Sequence, residues 1–202
     1  MIDTVVFDLG GVLIDWNPRH MYRTLMEDEQ EMEHFLATVC TGEWNAQQDA
    51  GRPFAEGVAM LSAQWPEYHA LIEAFHLRWI EMIHGPISKT VDILRTLRDQ
   101  GTPIYALTNW SSETFPLVQP RFDFLSWFIG VVVSGEEKLI KPDPAFYHVM
   151  LDRYNLNPEN LVFIDDSPPN IVAAEGLGIK ALHFTSPEKL KSELTEMGLL
   201  PA

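Results

Sequence analysis

The sequence predicts an α/β protein: a doubly wound parallel sheet with a helical cap inserted after its first strand. Three observations carry this. Short apolar runs at Thr4–Phe7, Pro103–Leu107, Ile129–Ser134, Leu161–Ile164 and Ala181–Phe184 lack the polar alternation of half-exposed strands, and fit a sheet covered on both faces. From Pro86 onward helical patterns alternate with these runs, which implies right-handed crossovers between parallel strands. Residues 17–85 break that rhythm, holding helical patterns and no convincing strand. The expected division is a core of residues 1–15 and 86–202, with residues 16–85 as the cap.

Each element has a local reason. Thr4–Phe7 is β-branched and apolar, then stops abruptly at Asp8 and Gly10-Gly11. Met21-Leu25, Met32-Phe35-Leu36-Val39, Phe54-Val58-Leu61 and Leu71-Phe75-Trp79-Met82 show helical spacing inside the cap. Ile87-Val91-Leu94-Leu97 does so in the core and ends at Gly101, a helix-stop signal. Asp143-Pro144 opens a helix as N-cap and first residue, carrying Phe146, Val149, Met150 and Tyr154. Another helix follows Pro168-Pro169 and ends near Gly176–Gly178; the last runs from Ser186-Pro187 to Gly198. Between Asn109 and Lys141 one helix and one strand are expected, leaving no room for a second inserted domain.

Composition narrows the function. The 202 residues carry 29 acidic against 14 basic side chains, a formal charge of −15. Such a surface repels phosphate backbones and no basic patch interrupts it, so nucleic acid is not an expected partner. The same field opposes any anionic substrate, so an anion site must bring its own positive charge. The single Cys40 rules out an internal disulfide framework, and its apolar helical setting reads as a buried structural thiol. No run approaches the roughly 20 apolar residues of a membrane span. The expectation is a soluble cytoplasmic protein, monomeric or homodimeric.

Four strand ends carry polar residues: Asp8; Thr108-Asn109 after IYAL; Lys141 in KLIKPDP; and Asp165-Asp166 in LVFIDDSPPN. In a parallel sheet all carboxyl ends lie on one edge, so these residues converge despite their separation in sequence. Singly, they also read as a helix cap, a surface lysine and turns. Together they suit one chemistry. A carboxylate can attack as a nucleophile. Acids packed together stay ionised only beside a cation, and oxygen ligands without His or Cys favour Mg²⁺. Thr108 and Asn109 offer donors for phosphoryl oxygens, and Lys141 a compact positive charge.

This arrangement resembles the haloacid dehalogenase superfamily of aspartate-nucleophile hydrolases. VVFDLGGVL is similar to its first motif, ALTN to its second, Lys141-Pro142 to its third and FIDDSPPNI to its fourth. The resemblance implies a Rossmann-like core, Mg²⁺ as cofactor and hydrolysis of a small-molecule phosphate ester through an aspartyl-phosphate. It implies Asp8 as nucleophile, and Asp8, the Gly10 carbonyl, Asp165 and Asp166 around the metal. Thr108, Asn109 and Lys141 would bind phosphate, and Asn170 would buttress the fourth motif. Phosphatases of this superfamily carry a second Asp two residues after the nucleophile as general acid and base; this chain has Gly10. A subgroup of small sugar-phosphate phosphatases resembles it in starting FDLG. Asp15, Glu43 and Asp49 are the candidate replacements, Asp15 reading first as a turn cap.

The cap implies a small phosphorylated metabolite, a sugar phosphate among the candidates, because a closing lid encloses its ligand. Within it GEWNAQQDAGRPF reads either as a substrate-facing loop, with Trp44, Asn45, Gln48 and Arg52 as contacts, or as a plain helix connection. Two other readings stay open: a metal-independent 2-haloacid dehalogenase, with which Gly10 is compatible, and a catalytically silent protein that binds a phosphorylated ligand.

Overall fold

The computed structural model describes residues 2–201. β1 (Thr4–Phe7) is buried throughout, with Val5 and Phe7 in one apolar layer and Val6 in the other. A tight turn leads into β2 (Ile14–Trp16). Five helices follow: α1 (Pro18–Tyr22), α2 (Glu29–Thr38), α3 (Gly42–Asp49), α4 (Phe54–Gln64) and α5 (His69–Leu77). The chain returns through β3 (Ile83–Pro86), antiparallel to β2, with Ile14 opposite Pro86 and Trp16 opposite Ile83.

This two-stranded ribbon corrects the expectation that residues 17–85 hold no strand. Ile83–Pro86 contains Gly85 and Pro86, which erase a strand signal, and it exists because β2 pairs with it. The segment GEWNAQQD forms α3, capped by the Thr41 hydroxyl, which accepts from Trp44 N at 3.1 Å.

The remaining elements alternate. They are α6 (Ser88–Asp99), β4 (Ile104–Thr108), α7 (Phe115–Val118), β5 (Gly130–Val133), α8 (Ser134–Glu137), α9 (Pro144–Tyr154), β6 (Leu161–Asp165), α10 (Pro168–Gly176), β7 (Lys180–His183) and α11 (Pro187–Glu196). The stretch from Asn109 to Lys141 is more broken than one helix and one strand. It holds α7, 3₁₀ turns at Gln119–Arg121 and Asp123–Trp127, then β5 and α8. Pro120 lacks an N–H and cannot sit inside a longer helix.

Five strands pair in parallel in the order β5-β4-β1-β6-β7. The chain winds from β1 outward through β4 and β5, then crosses to β6 and β7 on the other side. Strand order therefore reverses at β1, and the crevice opens at its carboxyl end. One face packs Val5 and Phe7 with Leu94 and Leu97 of α6 and Leu190 and Leu194 of α11. That layer runs on without a break into Phe35, Phe54 and Phe75 of the inserted helices. The other face sets Val6 against Phe146, Tyr147 and Met150 of α9. Cys40 is buried as expected, with burial pushing its thiol up to about 12, and it is inert as a nucleophile.

Candidate active site

Asp8 follows β1 directly and is 8% exposed. Its backbone N–H donates to Ile164 O at 2.8 Å, continuing the ladder to β6. Its Oδ1 accepts from Leu9 N at 2.7 Å and lies 3.1 Å from Lys141 Nζ. Oδ2 has no hydrogen bond within the described residues. The two glycines that follow differ in what they do. Gly11 has φ +72°, and a Cβ there would strike the Asp166 carboxylate, so glycine is required for the turn to pass. A Cβ on Gly10 would meet nothing within 4 Å.

Lys141 is not a surface lysine. Its side chain is 0% exposed, and its ammonium donates to Leu107 O at 2.8 Å and Asp165 Oδ2 at 2.7 Å, with Asp8 completing three partners. A buried ammonium survives only when every proton finds an acceptor. Asn109 fixes the Lys141 backbone by two bonds: its Oδ1 accepts from Lys141 N at 2.8 Å and its Nδ2 donates to Lys141 O at 3.0 Å. One amide proton of Asn109 is thereby committed to the Lys141 backbone, and the second N–H of the same Nδ2 is left for the phosphate role expected of it.

Asp165, fully buried, accepts from Ser167 N at 2.8 Å and from Asn170 Nδ2 at 3.0 and 3.1 Å, besides Lys141. Asn170 is thus the buttress expected of it, held by Tyr147, whose hydroxyl donates to Asn170 O at 2.8 Å. With both oxygens engaged, Asp165 is the poorest placed of the three acids to give a lone pair to a cation. Asp166 is exposed and uncommitted by side-chain bonds to protein.

The electrostatics follow from this crowding. Burial pushes Asp8 up to about 7, with Lys141 pulling it down and Asp165 and Asp166 raising it further. Burial, then Asp165, raises Asp166 as well. Burial works against the Lys141 charge, but Asp8 and Asp165 outweigh it and its pKa is raised. One ammonium faces three carboxylates, so the cluster holds surplus negative charge that a cation would offset. The carboxylate oxygens of Asp8, Asp165 and Asp166 lie within 4.8 Å of one another. Beside them the Thr108 hydroxyl is buried without a hydrogen-bond partner, a polar group waiting for a ligand atom.

A chamber of about 60 Å³ adjoins the site through Gly10 and Asn109, and Asn45 and Asp49 of α3 line it with Trp16, Trp79 and Trp110. Of the contacts expected from the cap, Asn45 lines this chamber. Trp44, Gln48 and Arg52 do not: Gln48 is fully buried, donating to Trp44 O and accepting from Arg52, and the Trp44 ring stacks edge-on to Phe75. Asp15 points to His20 at 3.1 Å, and Glu43 is exposed on α3. Trp110 and Ser134 escaped sequence reasoning altogether. Nothing local marks them, since their roles arise from contacts across the fold.

Sheet topology and site together define a parallel α/β enzyme with an aspartate at its switch point and a built-in cationic partner. A family model described as haloacid dehalogenase-like hydrolase matches residues 2–178, and the chain belongs to that family of hydrolases. It is 26% identical over 201 residues to sesquiterpene phosphatase astK of Aspergillus oryzae, covering 95% of this chain and 94% of that protein. It is 35% identical over 193 residues to the phosphorylated carbohydrates phosphatase of Thermotoga maritima, covering 90% and 84%. Among solved structures, a haloacid dehalogenase family enzyme of Bacteroides thetaiotaomicron superposes with a TM-score of 0.74 at 23% identity, covering 96% of this chain and 98% of that one. The same enzyme in complex with magnesium and inorganic phosphate gives 0.67 at 21%, covering 92% and 95%.

Proposed function

We propose that this chain is a Mg²⁺-dependent phosphatase of small, uncharged alcohols, with Asp8 as the nucleophile. One observation carries the reading: Asp8 has one oxygen fixed by Leu9 N–H and Lys141 and the other free, inside a surplus of negative charge. Asp8, Asp166 and the Gly10 carbonyl would hold Mg²⁺, with Asp165 behind them fixing Lys141. The metal, when bound, would neutralise phosphoryl charge. Lys141 favours the ionised form of Asp8 against its burial and, by holding Oδ1, leaves Oδ2 free to attack phosphorus. Thr108 gives its unpartnered hydroxyl to a phosphoryl oxygen. Attack forms an aspartyl-phosphate and releases the alcohol into the chamber; water then attacks phosphorus and frees Asp8.

The chamber suggests the alcohol. Its lining is three indoles, two amides and the Asp49 carboxyl, with no basic side chain to meet a carboxylate or a second phosphate. The residues between the two ribbon strands act as the lid in this reading. Esters with neutral leaving groups, sugars included, fit better than 2-phosphoglycolate. The phosphatase names of the astK and Thermotoga relatives support the reaction class.

The test is release of phosphate from an aryl phosphate with Mg²⁺ and with chelator, beside chloride release from 2-chloropropionate. The reading expects activity with metal, its loss in chelator, and no chloride. Chloride release that survives chelator supports the dehalogenase reading; phosphate binding without turnover supports the silent one.

A further inference from the structure

We propose that Asp49, on the inserted helix α3, is the general acid and base that the family's usual position lacks. The proposal rests on the phosphatase reading above and adds the residue that moves the proton. Gly10 stands where an acid would have been, and no side chain projects from it. Asp49 lines the same 60 Å³ chamber as Gly10. Every other side chain that lines this space is an indole or a carboxamide, none of which exchanges a proton near neutral pH. By elimination Asp49 is the one group in the chamber able to do so.

The fold holds Asp49 there from both sides. On α3, Asn45 Nδ2 donates to Asp49 Oδ2 at 3.0 Å. From the core, the Ser134 hydroxyl donates to the Asp49 carbonyl at 2.6 Å and receives Trp110 N–H at 2.8 Å, tying the end of α3 to the loop after β4. Glu113 takes the N–H of Phe54, a second pin between inserted helices and core, at 2.8 Å. The side chain has the properties its role asks for: burial pushes it up to about 7, against the Ser111 backbone and with the Asp8 charge. This chain thus supplies from the lid what its first motif lacks, and proton transfer requires the lid closed.

The steps balance. As Asp8 bonds to phosphorus and the phosphorus–alcohol bond breaks, the protonated Asp49 gives its proton to the leaving oxygen and becomes a carboxylate. In the second step that carboxylate takes a proton from water as the water oxygen attacks phosphorus. The bond from phosphorus to Asp8 breaks, Asp8 returns as carboxylate, and Asp49 is again the acid.

Asp49→Asn tests this, since the amide matches the protonated acid in shape and keeps the Asn45 neighbour. On alkyl phosphates the variant should lose roughly 100-fold or more in turnover, the usual scale of general acid–base catalysis. On an aryl phosphate with a good leaving group, the first step needs no acid and the second still needs a base. One equivalent of phenol should therefore appear in a burst, followed by slow turnover. Across aryl phosphates of rising leaving-group pKa, the variant's burst rate should fall more steeply than the wild-type rate. Loss of burst rate by the same factor for every aryl ester, or of the burst itself in a folded variant, would mean a structural role and overturn the proposal. So would wild-type turnover of alkyl phosphates by Asp49→Asn. Wild-type protein inactive on every ester with Mg²⁺ would sink the phosphatase reading itself and this proposal with it.

Discussion

Asp8 and Asp49 are both carboxyls that burial pushes up to about 7, yet their surroundings assign them opposite work. Lys141, 3.1 Å from Asp8 Oδ1, favours its ionised form, the form that the proposed nucleophile needs. Asp49 has no such cation beside it; burial and the Asp8 charge favour its protonated form, which the proposed acid needs. A carboxyl raised in the folded state costs stability as it ionises. Asp49 therefore contributes fully below its ordinary value of 3.8, and that contribution declines as pH rises through about 7. Asp49→Asn, which never ionises, should gain melting temperature relative to wild type between about pH 4 and 7, then hold a constant margin above. A margin that shrinks over that interval would contradict the raised value. At this scale the sequence was legible where a residue breaks its local pattern. Asp8 interrupts an apolar strand, and Asp165-Asp166 ends another. Asn109 was legible as a site residue, but its bonds to the Lys141 backbone were not, because that partner lies 32 positions away.

At the scale of elements, β1, β4, β5, β6 and β7 were readable to within a residue or two because buried parallel strands are continuous apolar runs. The β2–β3 ribbon was not, since its pairing joins Ile14 to Pro86 across the whole insertion. α3 was half-readable. Its polar composition comes from serving two surfaces at once: Gln48 turned into a buried network and Asn45 and Asp49 turned to the chamber. Its attachment to α8 rests on Ser134, which is fully buried. Ser134→Ala removes the hydroxyl from Trp110 N and Asp49 O together. It should cost about 1–3 kcal/mol in denaturant unfolding, the usual penalty for leaving buried polar groups unpaired. Because it loosens the end of α3, it should also slow the formation of the phosphoryl-enzyme more for alkyl than for aryl phosphates. Equal slowing of that step for both, or none, would mean that the Ser134 bond does not place Asp49.

The molecule as a whole carries a formal charge of −15, yet its site is proposed to receive a dianion. Lys141 cannot draw the substrate in from a distance, since it is buried and its charge is matched by Asp8 and Asp165. Long-range repulsion should therefore slow encounter. Inert salt, which screens such fields over about 10 Å at 0.1 M, should raise kcat/KM at fixed free Mg²⁺, with kcat changing little. A fall in kcat/KM with salt would point instead to an attractive patch near the chamber mouth. Among the described residues, no helix is long and apolar enough to cross a membrane. In the proposed reading, acidic surface, Trp-lined chamber and buried lysine go with a small substrate that is enclosed before it reacts. Charge and the inserted block's position were legible in the sequence. That Trp16, Trp79 and Trp110 line one chamber with Gly10 was not, because residues from separate segments come together only through the ribbon and the sheet.

The central claim is that the phosphoryl group passes through Asp8. Its most direct measurement is acid-quench of the protein during turnover of an aryl phosphate with Mg²⁺, with mass analysis of the peptide containing residue 8 and steady-state rates for wild type and Asp8→Asn. The account predicts a phosphoryl adduct on Asp8 in the wild type, and no adduct with a loss of several decades in rate in a folded Asp8→Asn. A folded Asp8→Asn that keeps more than about a tenth of wild-type turnover, or an adduct on another residue, would contradict it.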